Sequence, residues 1–196
     1  MRIARRTLLT TGLGLAALFA APGAMGADTD PIGDLIARSA GTPAGISARR
    51  LAFDNLHTGE KLDVAYWENG AYLPDALMAV NRVLRDHRTN EVHTIEPHLL
   101  DLLTALSLKT DQTPRFEVIS GYRSASTNAL LHAASGEVAV GSLHMQGEAI
   151  DIRMTGLDLS YLRNAALSLD MGGVGYYPES DFVHVDVGRV RRWSGT

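Results

Sequence analysis

Two stretches carry residue types that can do chemistry at usable spacings: Ser142-Leu-His144-Met-Gln-Gly147-Glu-Ala149-Ile-Asp151, and later Asp181-Phe-Val-His184-Val-Asp186. The second reads as a strand, in which Val183, Val185 and Val187 share one face and Phe182, His184 and Asp186 the other. The valines suit a core, so His184 and Asp186 face away from it. In the first stretch Ile150 and Ile152 point one way and Ala149, Asp151 and Arg153 the other, which again sets a carboxylate on the non-core face. His144 and Asp151 would be roughly 23 Å apart in one extended strand at about 3.3 Å per residue, too far to share an ion. The chain must therefore bend between them, and Gly147 is the residue suited to bend it. His144, Asp151 and His184 then form a set of two imidazoles and one carboxylate. Such a set binds one zinc ion and leaves its fourth position open to water, the catalytic rather than the structural arrangement. Hydrolysis is the implied use, since zinc lowers the pKa of water towards 7 and polarises a carbonyl.

The remaining histidines, His57, His87, His93, His98 and His132, belong to no such constellation. Arg85-Asp86-His87-Arg88 reads as a charged helix end or a salt-bridge cluster. Gly172, Gly173 and Gly175 do not follow the Gly-x-Gly-x-x-Gly spacing and no helix opens after them, so they indicate a tight bend rather than a nucleotide site. The chain has no cysteine, which excludes a thiol nucleophile, disulfides, iron–sulfur ligation and every sulfur-ligated zinc site.

Several elements must position these residues. Residues 50–67 alternate apolar and polar around Thr58-Gly59-Glu60, a hairpin pattern. Pro74 opens a helix carrying Leu77, Met78, Val80, Val83 and Leu84, expected to run to about His87. Glu96-Pro97 opens a second helix, apolar nearly all round from Leu99 to Leu108, which marks the central core helix. Phe116–Ile119 reads as a strand, 126–134 as a helix, 148–154 as a strand and 158–169 as an amphipathic helix. Residues 172–177 and 182–187 read as two final strands. The mixture without regular alternation predicts an α+β fold, a mostly antiparallel sheet with flanking helices.

The 196 residues are 45% hydrophobic and 20% charged, an ordinary globular composition, and the formal charge of −4 argues against a nucleic-acid partner. Residues 1–27 have the layout of a signal peptide: Arg2, Arg5 and Arg6, a short Gly/Ala/Leu-rich run, then small residues before Asp28. The pair Arg5-Arg6 followed by Thr-Leu-Leu resembles a twin-arginine signal, which implies export to the periplasm and no stable membrane anchor after processing. Residues 28–48 read as a flexible lead-in, and 49–196 as one domain, expected to be a monomer.

Ser-x-His-x-x-Gly-x-Ala-x-Asp, the later His184 in a hydrophobic strand, and the upstream Ser120-Gly-Tyr-Arg-Ser124 resemble the zinc D-alanyl-D-alanine peptidase superfamily, which also holds lysostaphin-type enzymes and the hedgehog domain. The resemblance is nearest to its exported murein endopeptidase K branch and runs from about Arg50 to Trp193, through Thr58-Gly-Glu60, Leu99-Leu-Asp-Leu-Leu103 and Gly172-Gly-Val-Gly-Tyr-Tyr177. It implies zinc on His144, Asp151 and His184, and hydrolysis of peptide crosslinks in peptidoglycan, whose stem peptides and crosslinks are then the partners. A non-catalytic stem-peptide binding module and a D,D-carboxypeptidase are the alternatives. In some members an acidic residue three positions before the last ligand is the general base, a place held here by Asp181. Strand parity sets Asp181 opposite to His184, so it reaches the site only if the chain bends at 179–181. Asp186 has the right parity but suits equally the orienting of His184. Arg123 would bind a stem-peptide carboxylate or stabilise the oxyanion.

Overall fold

The computed structural model describes residues 48–135 and 138–195. The expected signal segment and nearly all of the expected lead-in lie outside them. β1 (Ala48–Asn55) and β2 (Lys61–Glu68) pair antiparallel around the Thr58-Gly59 turn, where Asn55 Oδ1 accepts from the amides of His57 and Thr58. A short β3 (Ala71–Tyr72) extends β2. There follow α1 (Pro74–Val83), α2 (Pro97–Thr110), β4 (Arg115–Ser120), α3 (Ala125–Ser135), a 3-10 turn (Leu143–Gln146), β5 (Ala149–Arg153), α4 (Leu159–Leu169), β6 (Gly173–Tyr177), β7 (Phe182–Asp186) and β8 (Arg191–Ser194).

All eight strands form one sheet in the order β3-β2-β1-β4-β5-β7-β6-β8. The fold is α+β, but the sheet is mixed rather than mostly antiparallel: β1 runs parallel to β4, and β6 to β8. The first parallel pair arises because the chain leaves β1 through its hairpin and returns to β4 only after α1 and α2, a crossover long enough to reverse direction. The second arises from β8, whose four residues carry too little alternation to stand out in the sequence.

The helices explain where the core sits. α2 is buried almost all round, from Leu99 to Leu106, and packs over β1; α1 covers β2, and α4 covers β6 and β7. Leu51, Phe53, Phe116, Val118, Ile150, Ile152, Val183 and Val185 fill the same face of the sheet from the strand side. Within this core Asp101 of α2 is 1% exposed and accepts from Arg49 Nη1 at 2.8 Å, Tyr66 OH at 2.8 Å and Tyr72 OH at 2.5 Å. A buried carboxylate is tolerable only with such partners. α1 stops at Val83, four residues short of the expected end. The Leu84 carbonyl accepts from the Tyr122 amide at 2.8 Å, and the Gly121 backbone lies against Leu84 so closely that an added Cβ would sit 2.5 Å from that carbonyl.

Candidate metal centre

β5 and β7 are antiparallel neighbours with Asp151 directly opposite His184, so both side chains leave the same face of the sheet, away from the valine core. His144 reaches them by the bend at Gly147. The 3-10 turn begins at Ser142, whose hydroxyl accepts from the His144 amide, and ends at Gly147, with φ 72°. That left-handed conformation favours glycine, and an added Cβ would also run into the Thr94 carbonyl.

The three side chains are all buried, and one ligand atom from each lies within 4.8 Å of the others. His144 Nε2 is 3.2 Å from Asp151 Oδ1, His184 Nδ1 is 2.8 Å from the same oxygen, and the two ring nitrogens are 3.1 Å apart. The outer nitrogens are engaged elsewhere. His144 Nδ1 donates to the Gly121 carbonyl at 2.7 Å, and His184 Nε2 to Asp186 Oδ2 at 3.0 Å. Acceptors behind both rings fix the tautomers so that lone pairs face inward, the arrangement in which histidine ligates a metal. The donor set of two nitrogens and one carboxylate oxygen therefore fits a divalent transition ion.

The surrounding charges tune these groups. Burial pushes the His144 imidazole down, against the attraction of Asp151. Asp151 is held well below the usual carboxylate range: burial opposes ionisation, but both histidines and Arg123 outweigh it. Burial would also lower His184, yet its hydrogen bonds to Asp151 and Asp186 prevail and raise it.

Arg123 pairs through Nη2 with the outer oxygen of Asp151 and donates from Nε to Ser120 Oγ at 2.8 Å. A β-bulge after Val118 makes this possible, for it brings Ser120 opposite Asp151. Asp186 is fully buried behind His184 and also accepts from the amides of Gly173 and Gly188 and from both terminal nitrogens of Arg191. Asp181 is placed differently. Its backbone takes a left-handed conformation, φ 54°, and its exposed carboxylate pairs with Arg153, which also binds Glu117. Its neighbours Ser180 and Phe182 line the cavity over His144, Asp151 and His184, a space of about 560 Å³.

Three further features had no clear signal in the sequence. The Gly121 carbonyl orients His144. Asp86, from the run read as a charged helix end, is buried and binds Ser124, next to Arg123. Tyr177, Phe182 and Trp193, from three different strands, wall the cavity.

Residues 43–193 match the family described as peptidoglycan L,D-endopeptidase MepK. The peptidoglycan L,D-endopeptidase MepK of Escherichia coli (strain K12) is 43% identical over 145 residues, 74% of this chain and 80% of that protein. The probable peptidoglycan L,D-endopeptidase MepK of Haemophilus influenzae is 44% identical over 151 residues, 75% of this chain and 80% of that protein. No solved structure gives a significant match.

Proposed function

The chain belongs to the MepK family of peptidoglycan L,D-endopeptidases, and on that footing we propose that it is a periplasmic, zinc-dependent murein endopeptidase that hydrolyses peptide crosslinks. The observation that carries the reading is the convergence of three inward-facing acceptors, His144 Nε2, Asp151 Oδ1 and His184 Nδ1, on the floor of an open cavity. These three would hold zinc, which when bound polarises the scissile carbonyl and brings the pKa of water near 7.

The chain's own groups then divide the work. Gly121 and Asp186 hold the two imidazoles in orientation. Arg123 neutralises the outer oxygen of Asp151 and lines the cavity, where its remaining N–H groups meet the oxyanion that develops on the amide. Asp181, between the cavity-lining Ser180 and Phe182, is the proposed proton acceptor for the attacking water, exchanging its pairing with Arg153 for that contact. Asp186 is not free for that step, being saturated by five donors.

We place the protein in the periplasm as a monomer, exported by the Arg5-Arg6 signal. No helix among the described residues is long and apolar enough to cross a membrane. Replacing both arginines by lysine should block export if the twin-arginine route is used. The deciding experiment incubates purified protein with crosslinked muropeptide dimers, with chelator and with restored zinc, and follows products by mass spectrometry. Chelator-sensitive conversion of dimers to monomers is the expected result and identifies the bond cut. Intact dimers with zinc bound would replace the enzyme by a stem-peptide binding module, and release of a terminal residue alone would make it a carboxypeptidase.

A further inference from the structure

α3 is attached to the domain by polar rather than apolar side chains. Its only buried residues are Thr127 and Asn128, while Leu130 is 69% exposed and Leu131 is half-buried at the cavity. The first turn is tied down at Ser124, which accepts from the amides of Thr127 and Asn128. Leu131, with Val138, Ala139 and Leu143, forms one side of the cavity over His144, Asp151 and His184. Among the described residues, no backbone–backbone hydrogen bond ties 138–141 to α3 or to the sheet. Two side chains one turn apart on α3 do so instead. Asn128 donates from Nδ2 to the carbonyls of Ala139 at 3.1 Å and Val140 at 3.2 Å, and His132 from Nδ1 to that of Val138 at 2.6 Å. Two residues beyond Val140, Ser142 opens the turn that carries His144.

Asn128 is 3% exposed, and its Oδ1 has no hydrogen-bond partner among the described residues. An unpaired buried oxygen costs much of what the two donated bonds return, so the clasp adds little net stability. Its effect is on where the wall stands. Resting on the functional reading above, we propose that Asn128 is a positioning residue for crosslink hydrolysis, holding the wall at 138–140 in place before the stem peptide arrives. A wall already ordered spares binding the entropy of ordering it, so affinity is gained without direct contact between Asn128 and substrate. His132 is the second point of the same clasp, and the weaker one, because water competes for a bond made by an exposed side chain.

The test separates positioning of the wall from support of the fold. Asn128→Leu keeps the side-chain shape and removes both donors. It should raise KM for crosslinked dimers about tenfold, with kcat within about threefold and zinc content unchanged. Its Tm should stay within about 3 °C of the parent's, because the unpaired oxygen is removed with the donors. His132→Ala should move KM the same way by a smaller factor, and it decides the matter if Asn128→Leu does not fold. An unchanged KM overturns the proposal, as does a rise in KM that comes only with lost zinc or a lowered Tm. A second measurement needs no turnover. Trp193 lines the same cavity, and the chain has two tryptophans; in a Trp67→Phe protein, quenching of emission by acrylamide therefore reports on Trp193. Adding Asn128→Leu or His132→Ala should raise the quenching constant, about twofold for the former, as the wall loosens. An unchanged constant overturns the clasp. Failure to cut any crosslink would remove the functional reading, and the quenching comparison would still decide whether Asn128 holds the wall.

Discussion

His144 Nε2 and His184 Nδ1 stand 3.1 Å apart although each ring gives the proton of its other nitrogen to an acceptor behind it, the Gly121 carbonyl and Asp186. Two neutral imidazoles so arranged point lone pairs at each other, and Asp151 Oδ1 adds a third acceptor to the same point. Such a site is completed by a cation. Without a metal a proton can take that place: burial opposes it, but the hydrogen bonds of His184 to Asp151 and Asp186 prevail and raise its pKa above the ordinary value.

Metal removal should consequently reverse the pH dependence of the site. Without metal, the protonated His184 contributes stability that is fully present below about pH 6.5, the ordinary imidazole value, and is lost as pH rises through the raised folded value. With zinc the dependence runs the other way, because binding must displace that proton and strengthens as pH rises. The difference in Tm between zinc-loaded and chelated protein should widen from pH 6 to pH 8. A constant gap across that range would show that zinc and the proton do not compete for His184.

Asp181 and Asp186 should separate cleanly on substitution by asparagine. Asp186→Asn weakens the hold on His184 and should reduce zinc affinity about 10–100-fold. Asp181→Asn removes an exposed ion pair with Arg153, a loss of about 1 kcal/mol or less in stability. As the proposed proton acceptor it should nonetheless lower kcat by about 100-fold or more at full zinc content. Turnover near the parent's in Asp181→Asn would remove it from the mechanism.

A backbone change should act at the same place. Gly173 lies against the Asp186 carboxylate and the Arg191 guanidinium, and an added Cβ would run into both. Gly173→Ala should cost about 1–3 kcal/mol of stability, as overpacking does, and should loosen zinc by displacing Asp186. Denaturant unfolding with a parallel zinc titration reads both effects, and a stable variant of normal zinc affinity would show that the carboxylate has room to move.

Much of this site was legible because strand parity is a strict rule. Ile150 against Asp151, and Val183 against His184, could only face opposite ways once the strands existed, and Gly147 announced the bend that brings in His144. The pairing of β1 with β4 was hidden because nothing in an apolar strand records which distant neighbour it joins. The bulge that sets Ser120 opposite Asp151 belongs to the β4–β5 pairing and was equally invisible. Asp101 was hidden inside a leucine-rich helix pattern, and its partners Arg49, Tyr66 and Tyr72 come from other elements. Trp193 sits on a four-residue strand with no periodicity to read, so its place beside His184 follows only from β8 joining β6 in parallel.

Asp86 shows how a residue outside the cavity can govern it. It is 1% exposed; its Oδ2 accepts from the Ser124 amide and hydroxyl, each at 2.8 Å, and its Oδ1 from the Arg88 amide at 2.8 Å. Residues 121–124 are thereby pinned, and they carry both the carbonyl that orients His144 and the guanidinium that meets Asp151. Burial opposes ionisation of Asp86, but these donors outweigh it and hold the carboxyl well below the usual range. A carboxylate so depressed contributes stability that is present above about pH 4, its ordinary value, and is lost as pH falls through the folded one. Asp86→Asn keeps the shape and removes the charge. It should be about 1–3 kcal/mol less stable than the parent at pH 7, with the difference shrinking below about pH 4, where the unfolded parent takes up a proton that the folded one still excludes. Its kcat should fall as Arg123 loosens. A stability difference that stays the same from pH 7 to pH 3 would show that the Asp86 charge does not hold this loop.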